Sequence, residues 1–262
     1  MSNQPRIAVV TAAGGGIGSA IVQQFLVDGL IVVAVDIDQG ALQSLNAQVV
    51  NKDQLHVVLG DMTNAEDVTR VYKKVEQLGA LHILINGVGS SCSSNLRSLT
   101  LSEWQRLFDL NLTSAFLCTQ AALPMLEATS GDRAIINISS TLATVADPTT
   151  LAYGAFKAAL EQITRSLALE LAPQGIRVLA IAPGPVAGTS SEVAYETDTF
   201  AKLNPLGRFA TGAEIAALTA FLASPSAAYI TGTIVRIDGG DAALGIGWGS
   251  LQKLLPAQRL GD

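Results

Sequence analysis

The chain has 262 residues, 49% of them hydrophobic and 15% charged, which is enough apolar material for a sizeable core and too little charge for a disordered chain. Its net charge of −6 and pI near 4.9, with 16 scattered basic residues, exclude nucleic acid or an anionic membrane surface as the expected main partner. Two cysteines, Cys92 and Cys118, and two histidines, His56 and His82, make no zinc or iron ligand set, so a cytoplasmic, reducing setting without a structural metal is expected. The opening apolar run, Ile7-Ala8-Val9-Val10, is too short for a signal-peptide core, and no stretch approaches the ~18 apolar residues of a membrane span.

From the N-terminus, short β-branched runs at 7–11, 31–36, 55–60, 81–86, 134–138, 176–181 and 233–237 read as strands. Amphipathic patterns at 18–28, 39–50, 65–77, 102–128, 151–172 and 211–223 read as the helices between them, with Gly29, Gly79 and Gly175 as stops. Runs apolar on both faces call for a parallel sheet covered on each side: an α/β fold, doubly wound in three layers, with seven strands. No linker or repeat divides the chain, so residues 1–262 are expected to form a single domain. The irregular stretches 87–100, 139–150 and 183–210 all follow strands and should emerge at the carboxyl edge of the sheet, where such folds place chemistry.

The first of those edges carries Thr11-Ala12-Ala13-Gly14-Gly15-Gly16-Ile17-Gly18, a turn able to bring backbone N–H groups and a helix N-terminus against a pyrophosphate. Asp36 ends the second strand, where an acid accepts from adenosine ribose hydroxyls, and Ile37 follows it. A carboxylate there repels a 2′-phosphate, and no Arg or Lys lies between Thr11 and Gln39 to attract one, which favours NAD over NADP. Packing of the turn and helix capping by Asp36 are the plainer readings of the same residues.

Farther along, Tyr153 and Lys157 stand at i,i+4 in a helical run, which brings an ammonium beside a phenol. Free tyrosine titrates near ~10, and acid–base work near neutrality needs a shift of ~2–3 units. An ammonium ~5 Å away at an effective dielectric of ~20 supplies about 3 kcal/mol towards phenolate. Ser140 closes the apolar run Ala134-Ile135-Ile136-Asn137-Ile138, with Ser139 as its rival.

These elements, in order, resemble the short-chain dehydrogenase/reductase family: the 11–18 turn, Asp36, Asp61, Leu84-Ile85-Asn86-Gly87-Val88-Gly89, Asn111, Ser140, Tyr153 with Lys157, Pro183-Gly184 and Asp238-Gly239-Gly240. The match runs from about Arg6 to Gly240. The resemblance implies a Rossmann-type sheet and reversible hydride transfer between a nicotinamide cofactor and an alcohol or carbonyl. It implies Tyr153 as acid–base, Ser140 as orienter of the substrate oxygen, Lys157 on the nicotinamide ribose and Asn111 behind a water relay. Asp61 and Met62 would meet the adenine, Asn86 and Gly87 would hold the strands beneath the cofactor, and Pro183, Gly184 and Val186 would flank the nicotinamide. A homotetramer or homodimer is implied too, with residues 241–262, including Trp248, as an extension at a subunit interface.

Four positions depart from the family pattern: Ala12 for a glycine, Gly87-Val88 for Asn-Ala, a bulky Phe156 that would have to point toward the sheet or a subunit contact, and Thr189 displaced by one place. Segments 90–98, 141–152 and 185–206 are the candidate substrate lining. Their few cations favour a neutral secondary alcohol, ketone or diol over a phosphorylated or carrier-linked one. The rival readings are an NADPH-dependent ketoacyl-type reductase and a dinucleotide sensor without turnover.

Overall fold

A computed structural model describes residues 5–189 and 204–244. The seven strands are β1 (Ile7–Thr11), β2 (Ile31–Asp36), β3 (Leu55–Leu59), β4 (Leu81–Asn86), β5 (Arg133–Ile138), β6 (Ile176–Pro183) and β7 (Ile234–Ile237). All pair in parallel, in the order β3-β2-β1-β4-β5-β6-β7. The order reverses between β1 and β4, so a crevice opens there at the carboxyl edge.

Alternate residues of each strand face opposite layers. Ala8, Val10, Val32 and Ala34 pack under helices α1 (Gly16–Val27), α2 (Gln39–Gln48) and, near β6, α7 (Gly212–Leu222). Ile7, Val9, Val33 and Val35 pack under α3 (Ala65–Leu78), α5 (Ser114–Ala128) and α6 (Leu151–Leu171). Cys118 lies in that second layer, where burial pushes its thiol up to about 12 and makes it inert core. His82 is structural as well: its Nδ1 accepts from Ile7 N at 3.3 Å, where the β1–β4 register shifts. No described helix is long and apolar enough to cross a membrane.

The helix starts follow their caps. Asp38 accepts from Gly40 N and Ala41 N at α2, Asn64 from Glu66 N and Asp67 N at α3, and Thr211 forms a reciprocal capping box with Glu214 at α7. Gly29, Gly79 and Gly175 adopt positive φ, as expected of the stops.

The expected single helix over 102–128 is corrected. It divides into α4 (Leu101–Phe108), a π-helical segment Asp109–Thr113, and α5, because one extra residue is accommodated where Asn111 turns inward. Phe156, expected toward the sheet or a subunit contact, packs in a small cluster of its own with Leu107 and Ala152. It sits edge-on to Trp104 (4.7 Å) and Phe108 (5.5 Å) and fixes α6 against α4. The 241–262 extension lies outside the described residues, apart from a short turn at Asp241–Leu244.

At the amino edge of the sheet, Asp132 bridges Arg6 (3.1 Å) and Arg177 (2.9 Å), and the two guanidinium groups also donate to the carbonyls of Ala223 and Leu222. Every charge of that cluster has a partner across the sheet.

Candidate active site

The glycine turn is built on close approach. A Cβ on Gly18 would stand 2.1 Å from the Ala12 carbonyl oxygen, and one on Gly16 would meet the Gly188 carbonyl at 2.9 Å and Thr189 Cγ2 at 3.3 Å. The turn is therefore pinned from below by its own chain and from above by the segment after β6. Ala12 adopts φ 53°, a left-handed conformation that costs an L-residue roughly 1–2 kcal/mol, and the turn keeps its shape around the extra methyl. Unlike α2, α3 and α7, helix α1 has no side-chain cap: Gly15 has no side-chain oxygen to offer, and Gly15 and Gly16 are exposed. That end is suited to an anion.

Thr11, buried at the end of β1, ties the crevice together. Its hydroxyl donates to the Ile85 carbonyl at 3.1 Å and accepts from Gly87 N at 2.9 Å. A Cβ on Gly87 would fall 2.5 Å from the Thr11 carbonyl oxygen, so the glycine that departs from the family pattern is required by this approach. Asn86 donates to Asn137 Oδ1 (2.8 Å) and Thr119 Oγ1 (3.1 Å), and Asn137 donates in turn to Thr164 Oγ1 (2.8 Å). This buried polar ladder crosses β4, β5 and α6 beneath the crevice.

Asp36 leans back onto the turn. One carboxylate oxygen accepts from Gly14 N at 2.8 Å and the other from Asp38 N at 2.9 Å, so the capping reading of Asp36 holds while its acid stands beside the uncapped helix end. Ile37 is exposed. Asp61, past β3, accepts from the backbone N–H and hydroxyl of Thr63. The side chain of Met62 is buried in the second core layer, so only its backbone is available to a ligand.

Tyr153 and Lys157 share one face of α6, with the Lys157 Nζ 5.6 Å from the Tyr153 ring centroid. Lys157 is 3% exposed and donates to the Ile138 carbonyl at 2.8 Å. Burial pushes its ammonium down to about 8. Asn111, buried on the π-helical segment, donates to the carbonyls of Ser90 and Leu107, leaving its Oδ1 without a partner. A Cβ placed on Gly89 would lie 2.8 Å from that Oδ1 and 2.9 Å from Lys157 Nζ. Gly89 thus keeps open the space between them, and an acceptor and a donor face it.

The two serines separate. Ser139 turns its hydroxyl inward to Glu161, whereas Ser140 accepts from Leu142 N at 3.2 Å at the head of the following turn. On the far side of the site, Pro183 ends β6, Gly184 N donates to the Ile237 carbonyl, and a Cβ on Gly184 would meet Asp238 Cα at 2.9 Å. Val186 is buried, and its carbonyl accepts from Thr189 Oγ1 at 2.7 Å. The displaced threonine therefore lies over Gly16, at the turn itself.

The glycine turn, Asn86, Gly87, Asn111, Ser140, Tyr153, Lys157, Pro183, Gly184 and Val186 thus stand at or beside the carboxyl ends of β1, β4, β5 and β6, with Asp36 joined to the turn from β2, while Ile37, Asp61 and Met62 lie farther out along the β2 and β3 ends. Sequence reasoning gave Gly89 no role within its motif and missed Asn137, Thr119, Thr164 and Glu161. Asn137, polar inside an otherwise apolar strand, and Glu161, one turn beyond Lys157, were the available signals. The site suits a dinucleotide: an uncapped helix end for the phosphates, an acid beside it, and a buried cation with an orphaned acceptor across the crevice.

A family model described as enoyl-(acyl carrier protein) reductase matches residues 11–241. The chain is 34% identical over 257 residues to 2-(S)-hydroxypropyl-CoM dehydrogenase 3 of Xanthobacter autotrophicus, covering 93% of this chain and 100% of that one. Among solved structures it is similar to a short-chain dehydrogenase/reductase, glucose/ribitol dehydrogenase, from Brucella melitensis (TM-score 0.82, 30% identity, 90% of this chain and 95% of that one). It is also similar to a 3-ketoacyl-(acyl-carrier-protein) reductase from the same organism, complexed with NADH (TM-score 0.85, 29% identity, 91% and 99%).

Proposed function

Since the chain belongs to the short-chain dehydrogenase/reductase family, whose members bind a nicotinamide dinucleotide, we propose that it is an NAD-dependent oxidoreductase of neutral secondary alcohols, ketones or diols, with Tyr153 as acid–base. The observation that carries the reading is Lys157, a buried cation against the Tyr153 ring, anchored to the Ile138 carbonyl and in no salt bridge among the described residues. Such a cation favours phenolate at its neighbour. In oxidation the Tyr153 phenolate takes the proton of the substrate hydroxyl, and in reduction the phenol returns it. Ser140 donates a hydrogen bond to the substrate oxygen, where charge changes during the reaction. Asn111 and Lys157 hold a proton path across the space that Gly89 leaves open. The cofactor, when bound, supplies the hydride acceptor or donor.

Asp36 beside the glycine turn supports NAD, because its carboxylate repels a 2′-phosphate and no base between Thr11 and Gln39 offsets it. The neutral substrate class rests on the lining segments 90–98 and 141–152; residues 190–203 of the third lie outside the described region. Exposed Phe116 on α5 and Leu169 on α6 support a homodimer or homotetramer through those helices. A ketoacyl-type reductase is the second reading, favoured by the acyl-carrier-protein names among its relatives.

The test is a nicotinamide absorbance screen with NAD and NADP against secondary alcohols, diols, ketones and a ketoacyl thioester, with Tyr153→Phe alongside. The expected result is turnover with NAD on a neutral alcohol and a loss of about 10²–10⁴-fold in the variant. Equal activity in Tyr153→Phe overturns the acid–base role. Preference for NADP overturns the reading of Asp36, and preference for the thioester selects the second reading.

A further inference from the structure

The end of β5 grips α6 through three successive residues. Asn137 Nδ2 donates to Thr164 Oγ1 at 2.8 Å, the Ile138 carbonyl accepts from Lys157 Nζ at 2.8 Å, and Ser139 Oγ donates to Glu161 Oε1 at 3.0 Å. On the helix, 157, 161 and 164 follow i, i+4 and i+7, a single stripe that begins one turn earlier at Tyr153. Ser139 is held from its other side too, its N–H donating to the Ile181 carbonyl of β6 at 2.7 Å. The hydroxyl bond to Glu161 therefore fixes the peptide that leads directly into Ser140.

Both members of that bond are buried, Ser139 at 3% and Glu161 at 5% exposure. Burial raises the Glu161 pKa, while Ser139, Arg165 on the same helix and Arg236 on β7 work against the rise. Arg236 also donates to Thr144 Oγ1 at 3.1 Å, in the turn that follows Ser140. A leucine would fill similar volume without the cost of desolvating a carboxylate. What the carboxylate adds is an acceptor for Ser139.

We propose that Glu161 is a positioning residue of this site: acting through Ser139, it fixes the chain from Ile138 to Ser140 against α6 and so sets where Ser140 and Lys157 stand relative to Tyr153. The proposal deepens the oxidoreductase reading and rests on it. Glu161 touches no reacting group; its effect is geometric, and misplacement of this kind by ~1 Å costs up to about 100-fold in rate.

The experiment compares Glu161→Leu, Ser139→Ala, their double variant and Glu161→Gln, with thermal unfolding and cofactor-fluorescence titration as controls. Glu161→Leu and Ser139→Ala should each lower kcat by about 10- to 100-fold while KM stays within about 3-fold. The double variant should fall no lower than either single one, because both remove the same bond. Glu161→Gln, which keeps an acceptor, should return kcat to within about 3-fold of the native enzyme. Native kcat in Ser139→Ala, additive losses in the double variant, or a raised KM at unchanged kcat each overturn the proposal. If Glu161→Leu fails to fold, Ser139→Ala and Glu161→Gln carry the test.

Absence of turnover by the native chain on every alcohol and ketone is a failure of the oxidoreductase reading instead. Positioning is then read from ultraviolet difference titration of the Tyr153 phenol against Tyr153→Phe. Removing the Glu161 charge would by itself lower that midpoint, whereas displacement of Lys157 raises it, and the neutral change Ser139→Ala raises it too. A lowered midpoint in Glu161→Leu, or an unmoved one in Ser139→Ala, overturns the proposal.

Discussion

The two edges of the same sheet handle buried charge in opposite ways. At the amino edge, Arg6 and Arg177 share Asp132 and also reach the backbone carbonyls of Ala223 and Leu222, so each buried charge there meets an opposite charge, and only Arg6 Nε lacks a hydrogen-bond partner among the described residues of that cluster. At the carboxyl edge, Lys157 is buried against a carbonyl and a ring, and Asn86 Oδ1 and Asn111 Oδ1 are buried without partners. Polar groups left unsatisfied in a protein interior cost stability unless something else uses them. The contrast teaches that the amino edge holds the sheet together and the carboxyl edge is kept ready for a ligand.

The largest expected effect breaks the amino edge. Asp132→Ala strands two guanidinium groups in a partly buried setting and should destabilise the protein by about 3–5 kcal/mol, read by urea unfolding, while the folded fraction keeps its turnover. If activity falls and stability does not, the two edges do not divide the work as described.

Next comes the pH dependence of the carboxyl edge. Lys157 titrates lower in the folded chain, at about 8, than its ordinary value of 10.5, so between these pH values the unfolded chain binds more protons. Stability of the cofactor-free protein should therefore rise with pH across that window, by up to about 3 kcal/mol relative to Lys157→Met. Parallel stability curves for the two proteins would show that the buried ammonium carries no such cost.

Gly89→Ala sharpens the comparison at the site itself. The added methyl enters the space between Asn111 Oδ1 and Lys157 Nζ, and should lower kcat about 10- to 100-fold for a stability loss of about 1–3 kcal/mol. Native kinetics in this variant would remove the proton path from the reading. The smallest effect is Ala12→Gly, which relieves the left-handed φ of 53° but gives the unfolded chain more freedom, so the net gain should stay below about 1 kcal/mol. A thermal melt decides its sign.

Much of the fold was legible because local patterns and tertiary demand agree. The seven β-branched runs became the seven strands with shifts of at most two residues at their ends, and the helix stops fell on the glycines expected. The long helix at 102–128 was less legible, since the inward turn of Asn111 at the π-helical segment answers a demand from Ser90 and Lys157, which are distant in sequence. The ring partners of Phe156 were illegible for a similar reason: Trp104 and Phe108 come from another helix. At the site, Tyr153, Lys157, Asp36 and the glycine turn were readable as local motifs, but Asn137, Thr164 and Glu161 acquire meaning only when β5 and α6 are laid side by side.

The sequence alone determined the alternation of strands and helices, the parallel sheet it requires, and the residue types needed for dinucleotide binding and proton transfer, because periodicity and spacing along a helix or strand are local properties. Only the tertiary structure decided which serine turns toward Glu161 and which heads the next turn, why Gly87 and Gly89 must lack side chains, and that Lys157 is buried deeply enough to titrate at about 8. Those outcomes depend on desolvation and on contacts of a few ångströms between elements, and no run of residues contains them.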